Sequence, residues 1–426
     1  MISKHILWEW KNRDLSILYA LAVIGSVIAI MRFDVLYYPD TQSFLDAWDY
    51  NLSNGRIDAW RTPVYPYLIG LMKLIFGRYF GMGIVGIQYI VFLLSIKCFY
   101  QMTMDLIGLR KLAFVLTLIY VFPFMMWNNV IQTESLAFSS STFIAYSVFK
   151  LRESFSIKVF SIFALMSVLI IFLRPSSVYL LPVLFVWWIF VAFKEKLYKT
   201  ALCCVGYIMV ITMCLFGYMK TFEREYGLFT PTNVSLLNQL YIVFDRDIIN
   251  TDLIEDENLK EDVQICVERF KFPYGSYAAI DYLFQRYDKK ELNDMVMEQY
   301  KSQPMKSVKR TFEYISKTKR YQLFIANYPN LAIVLDIMGV NVGSFYLFVI
   351  VYTIFLLLWI ICNKMIPPKT TLLYAMAIAN LIVVIIGAQN DWMRLIQVSF
   401  PMYLLMFGQL CTLFSQMIPI RKIRMC

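Results

Sequence analysis

The chain has 426 residues, of which 59% are hydrophobic, 17% aromatic and only 16% charged, and its mean hydropathy is +0.58. A water-soluble chain of this size could not cover so much apolar surface with so few charges, which excludes an ordinary soluble enzyme, a disordered chain and a fibrous repeat. We therefore predict an all-α polytopic membrane protein. Its apolar stretches are continuous and do not alternate, unlike the strands of a transmembrane β-barrel.

The formal net charge of +10 does not indicate nucleic acid as a partner. Basic cytoplasmic loops of a membrane protein explain it, and the chain has no RNP, zinc-finger or helix-turn-helix pattern. The single histidine, His5, lies in the N-terminal tail, which argues against catalysis by histidine and against His-rich metal sites. The eight cysteines form no CxxC pair, and we expect no disulfide framework.

Hydropathy predicts about ten transmembrane helices, and charge predicts their orientation. If both termini are cytoplasmic, the short cytoplasmic segments hold 17 Lys and Arg and the opposite short segments hold seven, as the positive-inside rule requires. We expect an integral protein of a bacterial cell membrane. In chain order the predicted spans are 15–31, 81–102, 111–127, 134–151, 157–173, 177–193, 200–219, 343–362, 370–387 and 395–416.

The first outer loop, 32–80, is too polar to span a membrane, yet it is rich in Trp, Tyr and Leu. Residues 41–50 and 64–76 have apolar side chains at mixed spacings of three and four. This pattern predicts two helices that lie on the membrane surface.

The longest polar segment, 220–342, must contain structure of its own because of its length. Helical stretches near 258–272 and 276–320 predict a small, mostly helical extracytoplasmic cap. The chain then divides into a transmembrane module (1–219), this cap, and C-terminal transmembrane helices (343–426).

The outer face carries the side chains from which chemistry can be expected. The cytoplasmic loops are too short for a nucleotide-binding domain, and no Walker, Rossmann or GxSxG pattern is present. Carboxylates can act as general bases, arginines can bind phosphate, and aromatic rings can stack on sugars. This set suits group transfer from a phosphorylated lipid at the membrane surface.

Three motifs sharpen this expectation: YPDTQSFLDA at 38–47, RTPVYPY at 61–67 and QTESL at 132–136. Together they resemble the glycosyltransferase C superfamily, most closely its protein-mannosyltransferase-like and aminoarabinose-transferase-like branch. Arg174-Pro175 and the segment from Asp391 to Arg394 resemble later elements of that pattern. The resemblance covers roughly 1–190 well and 385–405 weakly, and it does not extend to the cap.

The resemblance implies an inverting transferase that moves a sugar from a polyprenyl-phosphate carrier to a glycan, lipid or protein acceptor on the extracytoplasmic side. It implies a first-loop acid as the base, at Asp40, with Asp34 as the main rival and Glu134 as a second carboxylate. No cofactor is required, and a divalent metal held by these three acids is not favoured. The donor phosphate would meet Arg61, Arg174 or Arg394, and substrate contacts would come from Tyr38, Trp60, Tyr65 and Asp391.

Structural roles compete with these functional ones. Asp40 could cap a surface helix, Glu134 could interact only with a helix dipole, and Arg61 could be an interfacial anchor. The tyrosines and Trp60 could form an aromatic belt, and the outer acids could be solvated loop charges. A lipid-linked polysaccharide polymerase or ligase is the first alternative function. A lipid or glycan transporter is the second, although the acids cluster at one face instead of the bilayer midplane.

Overall fold

The structure, a computed structural model, describes residues 4–38, 40–269, 276–317, 342–363, 367–388 and 395–417. These residues form α-helices joined by turns and short 3₁₀ segments. The helices are α1 (Lys4–Phe33), α2 (Thr41–Asn54), α3 (Val64–Phe76), α4 (Phe80–Ile107), α5 (Arg110–Trp127), α6 (Glu134–Glu153), α7 (Ile157–Leu173), α8 (Leu180–Glu195), α9 (Tyr198–Tyr226), α10 (Val234–Asp245), α11 (Glu257–Arg269), α12 (Ser276–Arg286), α13 (Lys289–Ser302), α14 (Pro304–Lys317), α15 (Val342–Asn363), α16 (Pro368–Gly387) and α17 (Phe400–Met417).

The all-α prediction is confirmed, and helices occupy every predicted span. Among the residues that the structure describes, five helical segments are long and apolar enough to cross a membrane, so the chain has the character of a membrane protein. The other predicted spans are helices too, but as membrane spans they stay predictions. The five segments are Arg13–Phe33, Val64–Ile107, Pro175–Glu195, Tyr198–Tyr226 and Pro368–Gly387.

The two helices predicted in the first outer loop are present as α2 and α3. They pack so closely that a Cβ atom on Gly70 would clash with the ring of Trp48. Glycine is therefore required at this crossing. A cluster of buried side chains, including Phe44, Tyr65 and Ile69, fixes α2 and α3 against α4, α6 and the end of α7.

A second core lies apart from the one shared by the long apolar helices. It contains buried residues from Phe222 at the end of α9 to Val296 in α13, and it includes α10, which the sequence pattern did not predict. The predicted helical stretch 276–320 is divided into α12, α13 and α14. Asp288 caps α13 by accepting a hydrogen bond from the Lys290 N–H, and Pro304 disfavours a helical conformation at the residue before it.

The segment 128–133, between α5 and α6, is irregular yet completely buried. Its N–H and carbonyl groups form hydrogen bonds with residues from two other parts of the chain. The Leu36 N–H donates to the Asn129 carbonyl at 2.8 Å, and the Ile131 N–H donates to the Leu36 carbonyl at 3.0 Å. The Gln88 side chain donates to the carbonyls of Asn128 and Val130, both at 2.8 Å. A non-helical backbone can lie among apolar helices only when such partners satisfy it.

Gln88→Leu should destabilise the protein. It removes the donor to two buried carbonyls and the acceptor for the Tyr65 hydroxyl, which lies 3.0 Å from Gln88 Oε1. Each buried group left unsatisfied costs about 1–3 kcal/mol. Thermal unfolding in detergent measures the loss. Gln101→Leu on the same helix is the control, because the half-buried Gln101 accepts one bond, from the Tyr146 hydroxyl. Equal losses of stability in the two variants would contradict this role of Gln88.

Acidification should loosen α11 from α12. Burial raises the pKa of the Asp262 carboxyl, but hydrogen bonds from Tyr282, Tyr287 and Arg286 outweigh it and hold that pKa below its ordinary value. A lowered folded-state pKa stabilises the fold above the unfolded pKa, and this contribution is lost as pH falls through the folded value. Hydrogen exchange over both helices, corrected for intrinsic rates, should show this loss. The variant Asp262→Asn should abolish this pH dependence. The variant Asp281→Asn, at an exposed site, should retain it.

Candidate functional site

Asp40 lies directly before α2, at the N-cap position, but its carboxylate makes no capping hydrogen bond. One carboxylate oxygen accepts from Arg61 Nη2 at 3.1 Å and the other from Gln132 Nε2 at 3.5 Å. The Asp40 side chain is 33% exposed, against 19% for Arg61. Capping therefore does not explain this acid, and its carboxylate is oriented by two partners while remaining reachable from outside.

Arg61 is held on several sides. Its Nε donates to Ser43 Oγ at 2.7 Å, and its guanidinium lies 4.3 Å from the ring centroid of Phe44. Its backbone N–H donates to Asp58 Oδ1 at 2.7 Å. Both side-chain contacts come from the first turn of α2, directly after Asp40. The helix therefore positions the acid and its arginine together, and Arg61 forms a preorganised cation beside the carboxylate.

A second pair of opposite charges is buried. Glu134 is the first residue of α6, and Arg174 lies between α7 and the 3₁₀ segment Pro175–Tyr179. Arg174 Nη1 lies 3.5 Å from Glu134 Oε1, and each side chain is 6% exposed. Burying a charge is costly, and the opposite charge offsets part of that cost, so the two members of this pair stabilise each other.

Neighbouring residues bring the two pairs into one region. Gln132, which contacts Asp40, is two residues from Glu134 on the buried segment 128–133. Thr62, which follows Arg61, donates through its hydroxyl to the carbonyl of Leu173 at 3.4 Å, and Leu173 precedes Arg174. Four of the predicted charged residues thus lie at one junction of α2, α3, α6 and α7.

Asp34 occupies a different position. It follows the last residue of α1 in a left-handed conformation (φ 54°), which aspartate tolerates better than most side chains. Its N–H donates to the carbonyl of Ile30 at 2.8 Å, and its side chain is exposed. Among the contacts within the described ranges, none joins Asp34 to Asp40 or Glu134, and its placement is that of a helix end.

The predicted substrate-binding residues are spread over different environments. The Tyr38 backbone forms a turn with Thr41, and its N–H donates to Thr41 Oγ1 at 2.8 Å. Trp60 is 36% exposed, and its ring lies 6.0 Å from that of Phe284 in the second core. Tyr65 is fully buried and donates to Gln88 at 3.0 Å. Asp391 and Arg394 lie outside the described residues.

Sequence reasoning assigned no role in the candidate site to Gln132, Ser43 or Asn233. The signal for Gln132 was its place in the QTESL motif, beside Glu134. Asn233 begins an Asn-Val-Ser sequence, which fits the N-glycosylation pattern, but that pattern does not predict a contact with a distant segment. Its N–H donates to the carbonyl of Ala59 at 2.8 Å. Its side chain is completely buried, and its amide has no hydrogen-bond partner in the part of the chain that the structure covers.

The described ranges contain no group of three His, Cys, Asp or Glu side chains arranged to hold a metal ion. Asp34, Asp40 and Glu134, the set considered for a divalent metal, do not form such a group. The arrangement instead offers one accessible carboxylate, one cation next to it, and a buried ion pair.

No protein-family model matches the chain, and no curated protein matches it either. The functional inference therefore depends on the motifs and contacts of this chain.

Glu134→Ala should destabilise the protein by up to about 3–5 kcal/mol, because it removes the carboxylate that faces the buried Arg174 guanidinium. The double variant Glu134→Gln with Arg174→Gln should recover part of this loss, because it removes both buried charges together. Thermal unfolding in detergent at equal expression measures both. A double variant no more stable than Glu134→Ala would contradict a direct charge interaction.

Proposed function

We propose that the protein is an integral membrane glycosyltransferase of the glycosyltransferase C type. It moves a hexosyl or pentosyl group from a polyprenyl-phosphate carrier to an acceptor hydroxyl on the extracytoplasmic side. The observation that carries this proposal is the junction of Asp40, Arg61 and Gln132, with the buried Glu134–Arg174 pair next along the same segments.

Asp40 has the properties that a base for this reaction needs. Its carboxylate is oriented by Arg61 and Gln132, and its partial exposure admits an acceptor. The acceptor hydroxyl loses its proton to Asp40, and its oxygen forms a bond to the anomeric carbon of the sugar. The bond from that carbon to the phosphate oxygen breaks with its electron pair, polyprenyl phosphate leaves, and the anomeric configuration inverts.

The proposed place of the donor phosphate is beside Arg61. This arginine is already oriented by Ser43 and Phe44, so little side-chain entropy is lost when phosphate binds. The helix α3 begins three residues later and exposes Leu71, Leu74 and Ile75. An isoprenoid chain could lie along this apolar face. Arg394 is a further proposed phosphate contact.

In this proposal Glu134 and Arg174 support the site as a pair. Because both side chains are almost fully buried, Glu134 is less suited than Asp40 to take a proton from an incoming acceptor. The pair holds the start of α6 against the end of α7, and Arg174 adds positive potential behind the donor phosphate.

The second core is the proposed extracytoplasmic cap, and it meets the first loop just before Arg61. The Tyr226 hydroxyl donates to the Ile57 carbonyl at 2.5 Å, and the Asn233 N–H donates to the Ala59 carbonyl at 2.8 Å. Trp60 is exposed at this border and offers a ring on which a sugar could stack. The cap would therefore contribute to the choice of acceptor.

The proposed topology has ten membrane spans, both termini in the cytoplasm, and the site at the opposite surface. The excess of Lys and Arg in one set of short loops supports this orientation. The short polar segments that carry Asp40, Arg61, Glu134 and Arg174 then all lie at the extracytoplasmic side, as a lipid-linked donor requires.

Asp40→Asn should reduce sugar transfer by about 100-fold or more, because the amide keeps the shape of the carboxylate but cannot accept the proton. Transfer is measured in membranes with a panel of labelled polyprenyl-phosphate sugars and a lipid extract from the host. Asp49→Asn is the matched control. It lies on α2, the helix that follows Asp40; its side chain is 63% exposed, and its carboxylate pairs with Lys73.

The results of this assay distinguish the proposed transferase from the alternative functions. Loss of transfer in Asp40→Asn at equal protein level, with activity kept in Asp49→Asn, supports the transferase and its base. Equal activity in all three proteins would contradict the role of Asp40. No transfer by the unmodified protein would favour a polymerase, a ligase or a transporter.

A further inference from the structure

The helix α14 has an unusual distribution of polar and apolar side chains. The side chains that face the protein are polar or only partly apolar: Ser307 is buried, and Thr311 and Tyr314 are half-buried. Thr311 Oγ1 accepts a hydrogen bond from Arg246 at 3.1 Å, and the Arg246 guanidinium lies 5.4 Å from the ring centroid of Tyr314.

The opposite side of α14 is apolar and exposed. Met305 is 79% exposed, Val308 52% and Phe312 68%. Their spacing of three and four residues places them in one stripe along the helix. A helix on a soluble surface has the reverse arrangement, with its apolar stripe toward the protein. The outward stripe of α14 therefore suits apolar surroundings outside the chain.

Arg246 connects α14 with a candidate membrane span. Its Nη2 donates to the carbonyls of Ile385 at 2.9 Å and Ala388 at 3.1 Å, at the C-terminal end of α16. α16 is one of the helices long and apolar enough to cross a membrane. The same guanidinium thus joins the middle of α14 to the end of a candidate span. If α16 crosses a membrane, this contact puts the middle of α14 near the end of that span.

The charged side chains of α14 indicate what kind of surface the helix contacts. The helix contains Lys306, Lys309, Arg310 and Lys317 but a single acid, Glu313. Lys306 and Arg310 bind the Ile248 carbonyl and Asp247 within the protein. Lys309 Nζ lies 4.0 Å from Glu313 Oε1, but the Lys309 side chain is 76% exposed and borders the apolar stripe. A helix with an apolar stripe bordered by cations is typical of the interface between lipid headgroups and acyl chains.

We propose that α14 lies in the headgroup layer of the bilayer, with Met305, Val308 and Phe312 among the upper acyl chains and Lys309 against anionic headgroups. The contact would fix the second core to the membrane surface and set its height above the spans. This inference requires the membrane character of the chain but not the proposed sugar transfer.

Photocrosslinking of the full chain in lipid nanodiscs tests the proposal. Phe312→p-benzoylphenylalanine places a photoreactive aromatic group in the stripe. The matched control is the same replacement at Met297, a 44% exposed apolar residue on the neighbouring helix α13. Replacement at Phe193, 75% exposed on the apolar helix α8, verifies that lipid adducts form and are detected. Intact-protein mass spectrometry identifies the adducts in nanodiscs of phosphatidylcholine with phosphatidylglycerol.

The expected result is a lipid adduct at position 312 and none at position 297. Phosphatidylglycerol should be enriched in the adduct by up to about fivefold over its mole fraction, and Lys309→Gln should reduce that enrichment. A crosslink to a second copy of the chain, a crosslink within the chain, or no lipid adduct at 312 while 193 reacts would each overturn the proposal. Equal labelling by both lipids would overturn the anionic preference.

Discussion

The structure depends on how the buried peptide groups of segment 128–133 are satisfied. An irregular backbone among apolar helices has no water to bond with, so its partners must come from the protein. Leu36 and Gln88 each form two hydrogen bonds with it, and the Thr41 hydroxyl donates to the Ile131 carbonyl at 2.9 Å. Because Leu36 and Thr41 flank the turn that carries Asp40, the same hydrogen bonds that permit the buried segment also bring Gln132 to the Asp40 carboxylate.

The two acid–arginine pairs differ in burial, and this difference suits them to different roles. The Arg61 and Asp40 side chains are 19% and 33% exposed, so this pair can be reached from outside the protein. Glu134 and Arg174 are enclosed at 6% exposure each, where separating them would leave two buried charges. An accessible pair supported by an enclosed one suits a site in which reacting groups must be reachable while their supports stay rigid.

The second core connects with the apolar helices through a small number of polar contacts. Arg246 binds the last carbonyls of α16, which a helix C-terminus leaves without internal partners. At another border, Tyr226 and Asn233 contact backbone carbonyls of the first loop. These contacts hold the second core beside the segment that precedes Arg61, so its position and that of the candidate site are coupled.

Length and the distribution of apolar residues by themselves determined that the chain is helical and has membrane character, and they placed every long helix, because apolar runs of this length have few other stable forms. Local pattern also predicted α2 and α3. It did not predict α10 or the breaks at Asp288 and Pro304, since a cap or a proline can interrupt a helical pattern within one or two residues. Only the tertiary structure decided which charges meet. Motif order suggested Asp40, Arg61, Glu134 and Arg174 separately, whereas their pairing, the part of Gln132, and the separate place of Asp34 follow from contacts between segments distant along the chain.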